Sequence, residues 1–261
     1  MKVKANGIQF NCKLDGKRGA PWVVFSNSLA TNLSMWDEQA EALGERFQIL
    51  RYDQRGHGGT EAPTGAYKFA TLVEDVIALF DAFEIERAHF VGLSMGGMTA
   101  VALAEKHGER LDKIVPCDCG PNSTPQSAQQ WDERIAVAKE KGMDALVDST
   151  IARWCPPEFQ AANPARTDRL RAMIRTTPAA GFIGCAGALS DFDLRPDLNK
   201  VKCPTQFIGG TKDPSFPGTK ALNAAIPHST LIEIDGAGHI SNVEQPEIFT
   251  RALKDFLGAR R

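Results

Sequence analysis

Trp22-Val23-Val24-Phe25 is a short continuous apolar run, and residues 47–50, 89–91 and 114–115 are further candidate strands along the first half of the chain. Continuous runs of this length read as strands buried on both faces. Segments of helical spacing lie between them. One covers 35–43. A second repeats Leu72, Val73, Val76, Ile77, Leu79, Phe80 and Phe83 at three- and four-residue steps, and a third covers 99–106. Strands and helices in alternation leave such a chain little choice. The expected fold is α/β, a mostly parallel sheet with helices on both faces. A hairpin should precede it, because Asn6-Gly7 is a strong two-residue turn before the alternating Ile8, Phe10 and Cys12.

The rhythm breaks at Pro121. Helical segments are predicted at 127–141, 143–154, 164–175 and 178–189, punctuated by Pro121, Pro125, Pro156, Pro157, Pro164 and Pro178. Strand–helix order resumes at 204–208, 217–226, 230–234 and 245–257. The expected organisation is one core, residues 1–120 and 196–261, with a helical cap, 121–195, inserted in it.

Composition narrows the class. At 261 residues, 43% hydrophobic and 24% charged, the chain can bury a large core and is not disordered. A net charge of −2 argues against a general nucleic-acid binder. No apolar run approaches a membrane span, and the first residues lack the apolar stretch of a signal peptide, so a cytoplasmic location without membrane association is expected. None of the six cysteines forms a C-x-x-C pair, so free thiols are expected. Cys117-Asp118-Cys119 lacks a second ligand cluster, so no metal is expected, nor any cofactor. Oligomeric state is not set by the sequence.

Gly92-Leu93-Ser94-Met95-Gly96-Gly97 follows a predicted strand and opens a predicted helix. This G-x-S-x-G context lifts a serine above the sheet on a sharp turn that side chains at Gly92 and Gly96 would obstruct. A serine hydroxyl needs a base, and the base needs an acid to orient it. His239, in Asp235-Gly236-Ala237-Gly238-His239, lies just past the last predicted strand, where open α/β sheets assemble sites. His57 reads as a structural histidine of a glycine-rich loop. His89, His107 and His228 read as surface or capping residues. Asp213 follows another strand end and is the expected acid, with Asp118, at the end of the 114–115 strand, as rival. Asp235 reads as a turn residue. Two backbone donors should stabilise an oxyanion: Met95 N–H, directly after the nucleophile, and Leu29 N–H from the loop 26–30.

Together these residues resemble the α/β-hydrolase superfamily over nearly the whole chain, including its D-x-R-G-x-G loop at Asp53-Gln54-Arg55-Gly56-His57-Gly58. The match is closer to the 3-oxoadipate enol-lactonase branch, through Phe25-Ser26-Asn27-Ser28-Leu29, Met35-Trp36-Asp37 and Asp235-Gly236-Ala237-Gly238-His239. That resemblance implies hydrolysis of 3-oxoadipate enol-lactone, a small anionic lactone, in aromatic-compound catabolism. The substrate carboxylate then needs a donor. The cap offers Arg134, Arg153, Arg166, Arg169, Arg171 and Arg175, with Trp131, Trp154 and Phe182 as possible pocket walls. Arg134 and Trp154 are the first candidates as donors. The alternatives are another carboxylesterase or lactonase, a carbon–carbon bond hydrolase, or a small-molecule receptor on the same fold. An aspartate at position 94 would have pointed to epoxide or haloalkane chemistry.

Overall fold

The computed structural model describes residues 1–258. β1 (Lys2–Ala5) and β2 (Ile8–Gly16) form the expected hairpin, with Asn6 and Gly7 in the left-handed region at φ 40° and 79°. β3 (Trp22–Ser26) leads to α1 (Asp37–Leu43), β4 (Gln48–Tyr52), α2 (Phe69–Ala82), β5 (Ala88–Leu93), α3 (Met95–His107) and β6 (Leu111–Cys117). Next come α4 (Pro125–Lys141), α5 (Val147–Trp154), α6 (Pro157–Ala162), α7 (Pro164–Thr176) and α8 (Ala179–Ser190). β7 (Gln206–Gly210), α9 (Phe216–Ala225), β8 (Thr230–Ile234), α10 (Ser241–Glu244) and α11 (Pro246–Gly258) complete the described chain.

The eight strands form one sheet in the order β1-β2-β4-β3-β5-β6-β7-β8. The two pairings made by β2 are antiparallel, and the pairings from β4 to β8 are parallel. Every residue of β5 and β7 is buried, which is why their centres, Phe90-Val91 and Phe207-Ile208, show no alternation of apolar and polar residues. Helices cover both faces. Val73, Val76, Phe80, Val101 and Leu103 of α2 and α3 fill one core layer. Ala40, Leu43, Phe249 and Leu253 of α1 and α11 fill the other, which continues into the inserted helices through Leu170, Ile174 and Phe182.

The insert leaves and rejoins the core at a closed neck. Ser123 N–H donates to Phe192 O at 2.9 Å, and Leu194 N–H donates to Pro121 O at 2.9 Å. Within it, the helix predicted for 143–154 begins as a 3₁₀ turn, Met143–Leu146, because Gly142 at φ 75° redirects the backbone between the two helices. The same happens at 35–43, where a 3₁₀ turn, Leu33–Trp36, precedes α1. The short α6 and α10 were not expected. No helix among the described residues is long and apolar enough to cross a membrane. None of the six cysteines is joined in a disulfide.

Candidate active site

Ser94 stands between β5 and α3 at φ 55°, ψ −114°, a conformation that costs a non-glycine residue about 1–3 kcal/mol. The turn is held by Ser94 N–H donating to Cys117 O at 2.8 Å and Gly96 N–H donating to Asn27 O at 3.1 Å. A Cβ at Gly92 would overlap the carbonyl of Gly96, and one at Gly96 would overlap that of Ser26. Only glycine fits either place, so the motif is what allows the main chain to fold this tightly.

The loops after β7 and β8 bring Asp213 and His239 to this serine. His239 Nε2 is 2.9 Å from Ser94 Oγ, and His239 Nδ1 is 2.9 Å from Asp213 Oδ1. Ser215 adds a second support. Its amide donates to Asp213 Oδ1 at 3.0 Å, and its hydroxyl donates to Asp213 Oδ2 and lies 3.3 Å from His239 Nδ1. Burial pushes the Asp213 carboxyl up, but the charge and hydrogen bond of His239, together with Ser215, outweigh it and hold the group below the ordinary carboxylate range. Asp118 makes no such contact. Its Oδ1 accepts Gly210 N–H at 2.8 Å and its Oδ2 accepts the Ser241 hydroxyl at 2.5 Å. Complete burial, and then the neighbouring Asp213 charge, push it well above the carboxylate range.

The main chain around His239 is tied at three successive amides. Gly238 N–H and Ile240 N–H donate to Glu244 Oε2 and Oε1 at 2.8 and 3.1 Å. His239 N–H donates to Trp154 O, at the end of α5, at 2.7 Å. The Trp154 indole lies along the imidazole, with centroids 6.4 Å apart and planes 27° apart. Leu29 and Met95 carry amides with no hydrogen-bond partner among the described residues, whereas the neighbouring Ala30 N–H is taken by His57 Nε2 at 2.9 Å.

Ser94 and His239 open into a cavity of about 480 Å³, walled on the insert side by Trp131, Arg134, Trp154 and Phe182. The Arg134 guanidinium faces the rings of Trp131 and Phe182, 5.7 and 5.9 Å from their centroids. Its Nη2 donates to Thr150 Oγ1 at 2.6 Å, and its Nε has no partner. Burial, and then the nearby Arg153, lower it to about 10. Arg153 is exposed at the cavity rim, 5.5 Å from the Trp131 centroid. The other four candidate arginines are neutralised elsewhere: Arg166 by Glu38, Arg169 by Asp37, Arg171 by Asp168 and Arg175 by Asp144.

A family described as alpha/beta hydrolase fold matches residues 21–246. The chain belongs to the α/β-hydrolase family. Among relatives in that family, the 3-oxoadipate enol-lactonase 2 of Acinetobacter baylyi is 35% identical over 254 residues, covering 97% of this chain and 94% of the relative. The enol-lactonase structure from Burkholderia xenovorans LB400 superposes with a TM-score of 0.96 at 38% identity, covering 99% of this chain and all of that one. A thermophilic esterase from Thermogutta terrifontis, in a malate-bound structure, gives 0.92 at 26% identity, covering 98% of each chain.

Within this α/β-hydrolase chain the sequence-predicted residues fall in one place. Ser94, His239, Leu29, Trp131, Arg134 and Trp154 all line the cavity, and Asp213 stands behind His239. His107 faces Glu74 and Glu109, and His228 sits in a turn at φ 63°. Ser215, Glu244 and the Trp154 carbonyl went unforeseen. Each acts on a backbone amide, or on a partner distant in sequence, and no spacing rule marks such contacts.

Proposed function

We propose that this hydrolase opens 3-oxoadipate enol-lactone to 3-oxoadipate through an acyl-enzyme, as a step in aromatic-compound catabolism. The observation that carries the reading is an unbroken Ser94–His239–Asp213 hydrogen-bond chain beneath a cavity whose half-buried cation, Arg134, has no acid partner among the described residues. Ser94 Oγ attacks the lactone carbonyl while His239 Nε2 takes its proton. Asp213 holds the imidazole with Nδ1–H toward itself. The amides of Leu29 and Met95 receive the oxyanion. The enolate leaves, takes the proton from His239 and becomes a ketone. Water, activated by the same imidazole, then releases the second carboxylate. Arg134 pairs the substrate carboxylate, which an apolar wall alone could not hold. Residues 121–195 act as a cap that excludes water from the reacting centre. The enol-lactonases similar to this chain support this choice of substrate. We place the reaction in the cytoplasm, where unpaired thiols stay reduced.

The second reading is an esterase for uncharged esters, favoured by the apolar share of the cavity wall and by the esterase relative. One assay separates the two. Purified protein is given the enol-lactone, followed by ultraviolet absorbance, beside a panel of p-nitrophenyl esters. Preference for the lactone, abolished in Ser94→Ala, is expected. Turnover of the esters alone overturns the lactonase reading.

A further inference from the structure

The loop carrying Leu29 has no regular structure of its own, yet its amide must point at one spot if it is to meet an oxyanion. The Asp53–His57 loop grips it at three points. Asp53 Oδ1 accepts Leu33 N–H at 2.7 Å. Gln54 Nε2 donates to Ser26 Oγ at 2.8 Å and to Asn27 O at 2.6 Å. His57 Nε2 accepts Ala30 N–H at 2.9 Å. Of these, only the last lies on the residue adjoining Leu29. Ala30 is also at φ 59°, the left-handed region that an alanine leaves unless held.

The His57 ring is fully buried, and its Nδ1 is 3.1 Å from the Arg55 carbonyl oxygen. A carbonyl can only accept, so Nδ1 carries the proton and Nε2 presents a lone pair. Burial lowers its pKa, which keeps the ring neutral and the lone pair available. We infer that His57 is a positioning residue for the oxyanion site: by capturing Ala30 N–H it fixes the 29–30 peptide plane, the one that follows Leu29, and so holds the unbonded Leu29 N–H in place at the cavity wall. This inference rests on the serine-hydrolase reading proposed above.

The test compares His57→Leu, which keeps bulk and loses the acceptor, with His57→Gln, whose side-chain carbonyl can accept from Ala30. Both are assayed with the enol-lactone and a p-nitrophenyl ester, with active sites counted by fluorophosphonate titration so that only folded enzyme is scored. Removing an oxyanion donor costs about 10²–10³ in kcat, and misaiming one should cost about 10–100. In His57→Leu, kcat per active site should fall by that factor, with KM changed less than about twofold. Affinity for a boronic acid, which becomes tetrahedral on Ser94, should fall in parallel, and His57→Gln should recover most of the loss. Equal impairment of the two variants, a loss confined to KM, or an unchanged kcat overturns the inference. Should His57→Leu not fold, histidine ¹⁵N spectra of the wild type decide. A neutral Nδ1–H tautomer between about pH 5 and 8 supports the inference; an Nε2–H tautomer or a charged ring overturns it. Ser94→Ala, run alongside, keeps the two readings apart. Activity surviving in Ser94→Ala sinks the serine mechanism itself, whereas its loss there with a normal His57→Leu sinks only the role of His57.

Discussion

Replacing Arg134 by methionine keeps much of the stem and removes the charge. In the free protein that charge is poorly placed, since the guanidinium is lowered from 12.5 to about 10 by burial and by Arg153. A shift of that size corresponds to at most about 3 kcal/mol of penalty. Solvent at a half-buried group screens it to roughly half or less. Both values lie above neutral pH, so the penalty is in full force at pH 7 and fades only as the pH climbs through about 10. Losing the charged Thr150 bond, at the low end of about 1.5–3 kcal/mol for a half-buried group, removes a similar amount in the other direction. Arg134→Met should therefore unfold close to the parent. Substrate binding should respond much more strongly. A charged hydrogen bond contributes about 1.5–3 kcal/mol. At 1.4 kcal/mol per tenfold, KM for the enol-lactone should rise roughly 10- to 100-fold. A neutral p-nitrophenyl ester has no carboxylate to lose and should keep its KM. Thermal unfolding and both Michaelis curves are measured on one preparation. An equal rise in both KM values, or a variant several degrees less stable with its lactone KM intact, would show that Arg134 is a structural residue and not the anion partner.

Ser94→Ala should fold normally, lose roughly 10⁴ or more in kcat and fail to react with a fluorophosphonate probe; labelling that persists refutes the nucleophile. Asp213→Asn should cost on the order of 10⁴ in kcat by favouring the wrong imidazole tautomer, and Asp118→Asn far less, because Asp118 bonds Gly210 and Ser241 instead of His239. The reverse ranking would move the acid to β6. Glu244 is raised to about 7, chiefly by burial, against the opposing bonds from Gly238 and Ile240. A raised carboxyl is protonated in the folded protein where the unfolded chain has already lost its proton, so its contribution falls as pH rises from about 4.5 to about 7. Urea unfolding at pH 5 and pH 8 should show Glu244→Gln gaining stability relative to the parent at the higher pH. A constant difference between the two conditions would contradict that titration.

The parallel core was readable because β5 and β7 are buried along their whole length and therefore carry adjacent apolar residues, Phe90-Val91 and Phe207-Ile208, in place of a period of two. Ser94 was readable because the elbow has room only for glycine at positions 92 and 96. Choosing between Asp213 and Asp118 was harder, since both follow strand ends, and only the approach of the loop after β8 settles which one the imidazole meets. Choosing among the six candidate arginines was harder still. The acids that neutralise Arg166 and Arg169 are Glu38 and Asp37, more than a hundred positions away in sequence. The short helices α6 and α10 are too brief to show a period. Glu244 binds main-chain amides, which look alike in every sequence.

The bond from His239 N–H to Trp154 O joins the main chain of the histidine loop to the last turn of α5. The insert is thus not an interchangeable part. A foreign helical segment spliced in at the neck would have to present a carbonyl at that same point. Failing that, it would leave an amide unsatisfied beside the His239 ring, at about 1–3 kcal/mol. New specificities can arise more cheaply by exchanging side chains on α4 and α8, such as Trp131, Arg134 and Phe182, which reach the cavity without holding the histidine loop. Divergence among such chains is then expected to conserve the backbone course at the end of α5 while the residues facing the ligand drift.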